Sequence, residues 1–259
     1  REDMPDLHPS CRVNHQDSLW SMHYRIEQSG QPYHLQTSVK IETDREIIWK
    51  RIDLSQPVHE WTWALTNPPR TVTLNPENDI PLLHSRYYTF INFYDDFSHT
   101  LIVYGTTRQI EANHTLALRF STTAADRFTE TLLPVRKDCE LDSAEFARHD
   151  IILLGGIEDN QWTQRIAGRC GLDLGKGFFR WRKKTYAESN QGLMIVLPNP
   201  YNPERMLTIM AANSALQLYQ MTRNLPRIPA WAIFTDDRIT DKGRHETGLS
   251  LSIQPAETD

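Results

Sequence analysis

The chain has 259 residues, enough for one or two domains at roughly 150 residues each. Charged residues make up 24% and hydrophobic residues 39%, which excludes a disordered tail or a bilayer-spanning protein and fits a folded globular chain. Lys+Arg 28 against Asp+Glu 33 gives a net charge of −5, so no global basic field draws in nucleic acid, and none is expected as a partner. Cys11, Cys139 and Cys170 are too few for a disulfide scaffold, and their spacing matches no zinc ligand pattern. No apolar run reaches the ~18 residues of a membrane span, so no membrane insertion is expected. No signal peptide stands at the N-terminus; a start at Arg1 instead of Met is expected of a processed protein or an excised fragment.

Taken in chain order, residues 1–30 show no clear period, and Pro5 and Pro9 predict an extended or poorly ordered segment. From His34 the chain alternates. Leu35, Thr37, Val39 and Ile41 oppose Gln36, Ser38, Lys40 and Glu42, the period of a strand with one buried face. REIIWKRIDL and VHEWTWAL follow, then RTVTLNP between the breakers Asn67-Pro68-Pro69 and Asn75-Pro76. Short strands between turn signals predict an antiparallel sandwich or meander.

The pattern changes near Tyr88. Leu101 to Tyr104 is a compact apolar run ended by Gly105, and Ala112, Leu116, Ala117 and Phe120 recur at helical spacing between about Gln109 and Phe128. TLLPV predicts a short strand. DSAEFAR predicts a helix opened by Asp142 and Ser143 with Glu145. Ile151 to Leu154 then runs into Gly155-Gly156, and Asp159-Asn160 opens a helix carrying Trp162 and Ile166. GLMIVLPNP, RMLTIMAA, a helix from Ser214 to about Arg223, and AWAIF complete the series. Continuous apolar strands alternating with helices predict a mostly parallel sheet covered on both faces. The expected fold class is therefore α+β with two domains: an extended segment over 1–30, an antiparallel β-sandwich over 31–86, a small Rossmann-like, doubly wound α/β domain over 87–242, and a polar tail over 243–259.

Candidate chemistry is sparse. His59-Glu60-Trp61-Thr62-Trp63 begins like H-E-x-x-H, but Trp63 stands where the second histidine belongs and the segment alternates like a strand, so no metal site is expected. Gly155 and Gly156 follow a buried strand and open a helix, yet neither a dinucleotide fingerprint nor a P-loop occurs, and no cofactor is expected. A serine hydrolase would place Ser214 as nucleophile at the end of MLTIMAA, with Asp236 or Asp237 and then His245, in the chain order of α/β-hydrolases. Against it, Ala212 and Leu216 stand where G-x-S-x-G needs glycines, and Ser214 is an ordinary helix N-cap residue. KGFFRWRKK (176–184) combines cations and aromatics but alternates like a strand with a solvated face. Asn113-His114-Thr115 fits a glycosylation sequon that falls inside a predicted helix. The turn Pro198-Asn199-Pro200-Tyr201-Asn202-Pro203 is rigid and polar. Gly155, Gly156, Asn160, Asn199, Asn202 and Asn213 together form the candidate ligand rim at strand ends.

The run from Leu35 to about Leu83, closing in PPRTVTLNPENDIPLL, resembles the β-sandwich that follows the catalytic domain in gluzincin (aminopeptidase N-like) metallopeptidases, with Asn75 in place of the Asp of a P-x-x-V-x-L-D-P strand. The stretch from HTLIVYGT through DIILLGGIEDNQWTQRIAG, LPNPYNPERMLTIMAANS and AWAIF is similar to an α/β module attached to some bacterial secreted peptidases and esterase-like proteins. Neither resemblance brings catalytic residues with it. Together they imply a non-catalytic accessory unit of a bacterial, extracytoplasmic protein, docking onto a catalytic peptidase-like domain or a polymeric substrate. Trp20, Trp49, Trp61 and Trp63 are candidates for an exposed docking patch, or for carbohydrate binding.

Overall fold

Period-two alternation organises residues 1–87 and 246–259 into one compact unit, and buried apolar runs organise 88–245 into another. The computed structural model describes residues 4–16, 19–82, 88–94, 96–223, 225, 229–245 and 248–253. The first unit holds β1 (Leu7–Gln16), β2 (Leu19–Gln28), β3 (Leu35–Thr43), β4 (Ile47–Leu54), β5 (Val58–Leu65), β6 (Pro69–Leu74) and, from the far end of the chain, β17 (Leu249–Ser252). They form two antiparallel sheets, β1-β2-β5 and β17-β6-β3-β4. Met22, Tyr24 and Ile26 of the first share one core with Val39, Ile41, Ile52, Leu54, Val72 and Leu74 of the second.

Two expectations are corrected here. In place of an extended or poorly ordered segment, Leu7–Gln16 and Leu19–Gln28 are regular strands paired antiparallel. The signal lies in Trp20, Met22, Tyr24 and Ile26 alternating with Ser21, His23, Arg25 and Glu27. Pro9 is tolerated because β1 ends its sheet, where a missing N–H breaks no ladder bond. Within the expected polar tail, Leu249 and Leu251 belong to β17, pair with Leu74 and Val72, and pack on the core; 246–247 and 254–259 lie outside the described residues. Asn75 shows why this strand end carries Asn. It is fully buried with φ +56, its amide donates to Ile80 O (2.7 Å), and its Oδ1 accepts from Thr37 Oγ1 and Ile80 N. A carboxylate there would lack the donor, and Asn tolerates the left-handed backbone.

In the second unit the strands are β7 (Thr100–Tyr104), β8 (Val135–Lys137), β9 (Asp150–Leu154), β10 (Asp173–Gly175), β11 (Phe178–Trp181), β12 (Lys184–Tyr186), β13 (Gln191–Asn199), β14 (Asn202–Ala212), β15 (Trp231–Thr235) and β16 (Arg238–Gly243). The helices are α1 (Ile110–Ala124), α2 (Ser143–Arg148), α3 (Gln161–Ile166) and α4 (Ala215–Met221). The large sheet runs β16-β15-β13-β14-β9-β7-β8. One face carries Ile102, Tyr104, Ile152, Leu154, Met194 and Met210 against α1 and α4. The other carries Val103, Ile151, Leu153, Ile195, Ile209 and Trp231 against α2, α3 and the small sheet β10-β11-β12. Burial on both faces is why these strands read as unbroken apolar runs.

The sheet is mixed, and that corrects the expectation of a mostly parallel one. β8, β7, β9 and β14 are parallel, whereas β13 is antiparallel to β14 and β15, and β16 to β15. Connection length decides it. Asn199 and Asn202 pair across Pro200-Tyr201, and so short a link permits only a hairpin, since a parallel crossover needs a dozen or more residues. The predicted helix over 109–128 ends its α-helical part at Ala124, and a π-helical turn continues to Thr129.

Candidate functional site

The strand order itself places a crevice. From β7 the chain leaves through α1 on one face and reaches β8 on one side; from β9 it leaves through α3 on the other face. Connections that part in this way open a gap at the carboxyl ends of β7 and β9, where ligands of open α/β sheets sit. Here the gap is lined by Arg108, Asn113, Gly156, Glu158, Asp159 and Ser214, among others, and encloses about 100 Å³. Ligand pockets are commonly about 300–1,000 Å³, so this one has room for only a few atoms.

Its floor is satisfied from within. Asn160 is fully buried: its amide donates to Val103 O (3.1 Å) and Leu154 O (3.2 Å), and its Oδ1 caps α3 by accepting from Trp162 N and Thr163 N. Gly105 lies so close to Asp159 O that a Cβ would stand 2.1 Å from it, and Thr107 N donates to the same carbonyl. Gly155 has φ +115, and its carbonyl accepts from Thr163 Oγ1. Asn113, inside the sequon, is buried and donates to Gly105 O and Arg108 O. Sequence reasoning missed Asp138, a buried carboxylate that accepts from Thr106 N, Thr106 Oγ1 and Gln161 N and so ties the β7 loop to the start of α3. Nothing in its local sequence marks it, because its donors lie 32 and 23 residues away. At the mouth, Glu158 pairs with Arg108 (3.0 Å) and Lys176 (3.8 Å). Burial raises the Asp159 carboxyl above its ordinary range, with Arg108 opposing.

The other candidates part company. Asn213 and Ser214 stand at this end, but Asn213 donates to Tyr186 O and Glu188 O, and Ser214 Oγ donates to Ser189 O (2.7 Å) and caps α4 by accepting from Gln217 N. Asn199 and Asn202 lie at the opposite end of the sheet. There Asn199 donates to Phe146 O and His149 O, and Asn202 to Ala147 O. The antiparallel run of β13 carries the NPYNP turn away from the crevice. His245 Nε2 meets Val196 O (2.6 Å), four residues along β13 from Gly192, the residue opposite the end of β14. At ~3.3 Å per residue that displacement is about 13 Å, so the serine and the histidine are not brought together. Asp236, with φ +55, and Asp237 form the β15–β16 turn, and Asp236 accepts from Asn190.

Elsewhere, a wider concavity of about 550 Å³ lies over β1 and β2, with Arg12, His23, Arg25 and Glu60 among its lining. It is an open sheet face whose polar groups are mostly engaged with one another: Arg25 pairs with Glu27 and Glu60, and His23 bonds Thr62. Trp61 and Trp63 are half-buried on the inner face, where Trp63 stacks on Tyr24 at 5.6 Å, and Trp20 stacks on His15 at 4.4 Å. Trp49 alone of the four candidates is largely exposed, at 49%, beside Ile47 at 55%. All three cysteines are free. Among the described residues no cluster of three metal-ligating side chains occurs, and no helix is long and apolar enough to cross a membrane. No known family profile matches the chain, and no curated protein matches its sequence.

Proposed function

We propose that this chain is a non-catalytic accessory unit, a β-sandwich carrying a Rossmann-like α/β module, that docks onto the catalytic domain of a peptidase-like extracytoplasmic protein. The observation that carries this reading is strand β4. Among the described residues it ends its sheet, with no strand beside one row of its backbone groups, and it presents Ile47 and Trp49 side by side on the solvated face. Arg51 and Asp53 share that exposed face, the charge by which edge strands discourage random pairing, while the large apolar pair beside them suits a specific partner that covers it. The polar groups at the strand ends support the same reading, since Asn160, Asn213 and Ser214 are occupied by capping and turn bonds. The hydrolase alternative would need the Ser214 hydroxyl to face a base, and it faces Ser189 O instead.

The test has two arms. A fluorophosphonate probe and a panel of chromogenic esters should show no labelling or turnover that Ser214→Ala removes; Ser214-dependent turnover would establish the hydrolase. A gluzincin catalytic domain offered in trans should co-elute with the wild-type chain and not with Trp49→Ser. Equal co-elution of both would remove β4 from the interface.

A further inference from the structure

Residues 161–186 carry seven Lys/Arg against the single Asp173, in a chain of net charge −5, which leaves the rest at −11. These residues comprise α3 and the small sheet β10-β11-β12, and both pack on the same face of the large sheet. Their cations therefore project from one side of the unit, and all seven are exposed. Only Arg180 and Lys176 meet acids among the described residues, at Asp173 (3.1 Å) and Glu158 (3.8 Å).

The β11–β12 turn makes the cluster more than a solvated face. Trp181 pairs with Lys184, so Arg182 and Lys183 are the two central residues of a tight hairpin, with φ +49 and +67. Two consecutive left-handed positions strongly favour Asn-Gly, because a Cβ is crowded there. The neighbouring β10–β11 turn has a single left-handed position, and glycine fills it: Gly177, with φ +69. The second turn instead holds two long cations at its tip against backbone preference. Several cations also sit over rings: Arg182 over Trp231 (4.6 Å), Lys184 over Tyr186 (4.8 Å), Arg165 over Trp162 (4.5 Å) and Arg169 over Tyr201 (5.2 Å). Stacking of this kind orders long side chains before any partner arrives.

We propose that this basic face docks an acidic, carboxylate-rich segment of a partner protein. Charge complementarity selects an anion, and the surface chemistry selects among anions. Bases and sugars need bare aromatic faces to stack on, whereas Trp162, Tyr186 and Trp231 are buried beneath Arg165, Lys184 and Arg182, Phe178 lies under Arg180, and half-buried Trp181 packs on Trp231. A lipid surface needs an apolar anchor beside the charges, and none of the large exposed hydrophobic side chains lies within 161–186. Flexible carboxylates ask only for ordered point charges. The proposal shares with the docking reading the premise that the chain works by binding, but it concerns a different surface, and its test separates the two.

The test is fluorescence anisotropy with labelled oligoglutamate, alongside single-stranded DNA, a sulfated glycan and phosphatidylserine vesicles. Oligoglutamate should bind most tightly and lose affinity steeply with added salt. Arg182→Asn/Lys183→Gly supplies the pair the turn prefers, so its melting temperature should equal or exceed the wild type while affinity falls about tenfold. Lys183→Gly alone keeps the Arg182 stack and should lose roughly threefold. Trp49→Ser should bind oligoglutamate like the wild type even where it abolishes co-elution with a catalytic domain. Tighter binding of any of the other three anions overturns the proposal. So does a double variant that is stably folded and binds with unchanged affinity.

Discussion

Replacing Asn160 tests whether the strand-end polar residues build the fold or await a ligand. Asn160→Ala removes an N-cap, worth about 1 kcal/mol, and deprives the buried carbonyls of Val103 and Leu154 of a donor each, at about 1 kcal/mol apiece. The expected loss is about 3 kcal/mol, or roughly 6–12 °C in melting temperature for a unit of this size. Asn160→Asp separates the two halves of the role. A carboxylate still caps α3, but ionised it would face two carbonyl oxygens with no proton to offer, at a position with no solvent exposure. Its folded-state pKa would therefore lie above the unfolded value of about 3.9. Stability is then full below that value, where the neutral group donates to one carbonyl, and is lost as pH rises through the raised folded value. Urea denaturation followed by circular dichroism between pH 4 and pH 8 measures both variants. If Asn160→Ala unfolds within ~0.5 kcal/mol of the wild type, the bonds carry no structural weight and the reasoning fails. It fails equally if Asn160→Asp grows more stable with pH.

Three further outcomes follow from the same geometry. Ser214→Ala should cost about 1 kcal/mol through loss of the α4 cap, and Ser214→Asp, which keeps an acceptor for Gln217 N, should recover part of it in the same denaturation assay. Burial holds His245 below its ordinary pKa, with Arg182 adding to the shift and the bond to Val196 O opposing it. A depressed histidine contributes stability that is full above the unfolded value of about 6.5 and is lost as pH falls toward the folded value, so His245→Gln should flatten that slope in pH-dependent melting. Gly105→Ala places a Cβ 2.1 Å from Asp159 O and should destabilise by about 1–3 kcal/mol; an unchanged midpoint would show that the loop after β9 is free to move.

Much of the architecture is legible one element at a time, because each element depends on local pattern. Alternation marks β3 and β5, apolar runs mark β7, β9, β13, β14 and β15, and Asp142, Asn160 and Ser214 cap the helices that follow them. Period two also marks β2, where the prolines upstream distract from Trp20, Met22, Tyr24 and Ile26. Strands of three or four residues such as β10, β12 and β17 are too short to show a period at all.

What the residues sit beside is another matter. The sequence alone determined which segments bury two faces and which bury one, because hydrophobic spacing is written within each segment. Only the tertiary structure decided that β17 joins β6 from the far end of the chain, that the Asn199 turn stands at the opposite end of the sheet from Asn213, and that Ser214 and His245 never meet. Strand direction and pairing are long-range choices, set by connection length and by which faces close one core, and no window of neighbouring residues records them. The same holds for Asp138, whose partners come from the loop after β7 and the start of α3, and for the cations of α3 and β11, which become one surface only when both pack on the same side of the sheet.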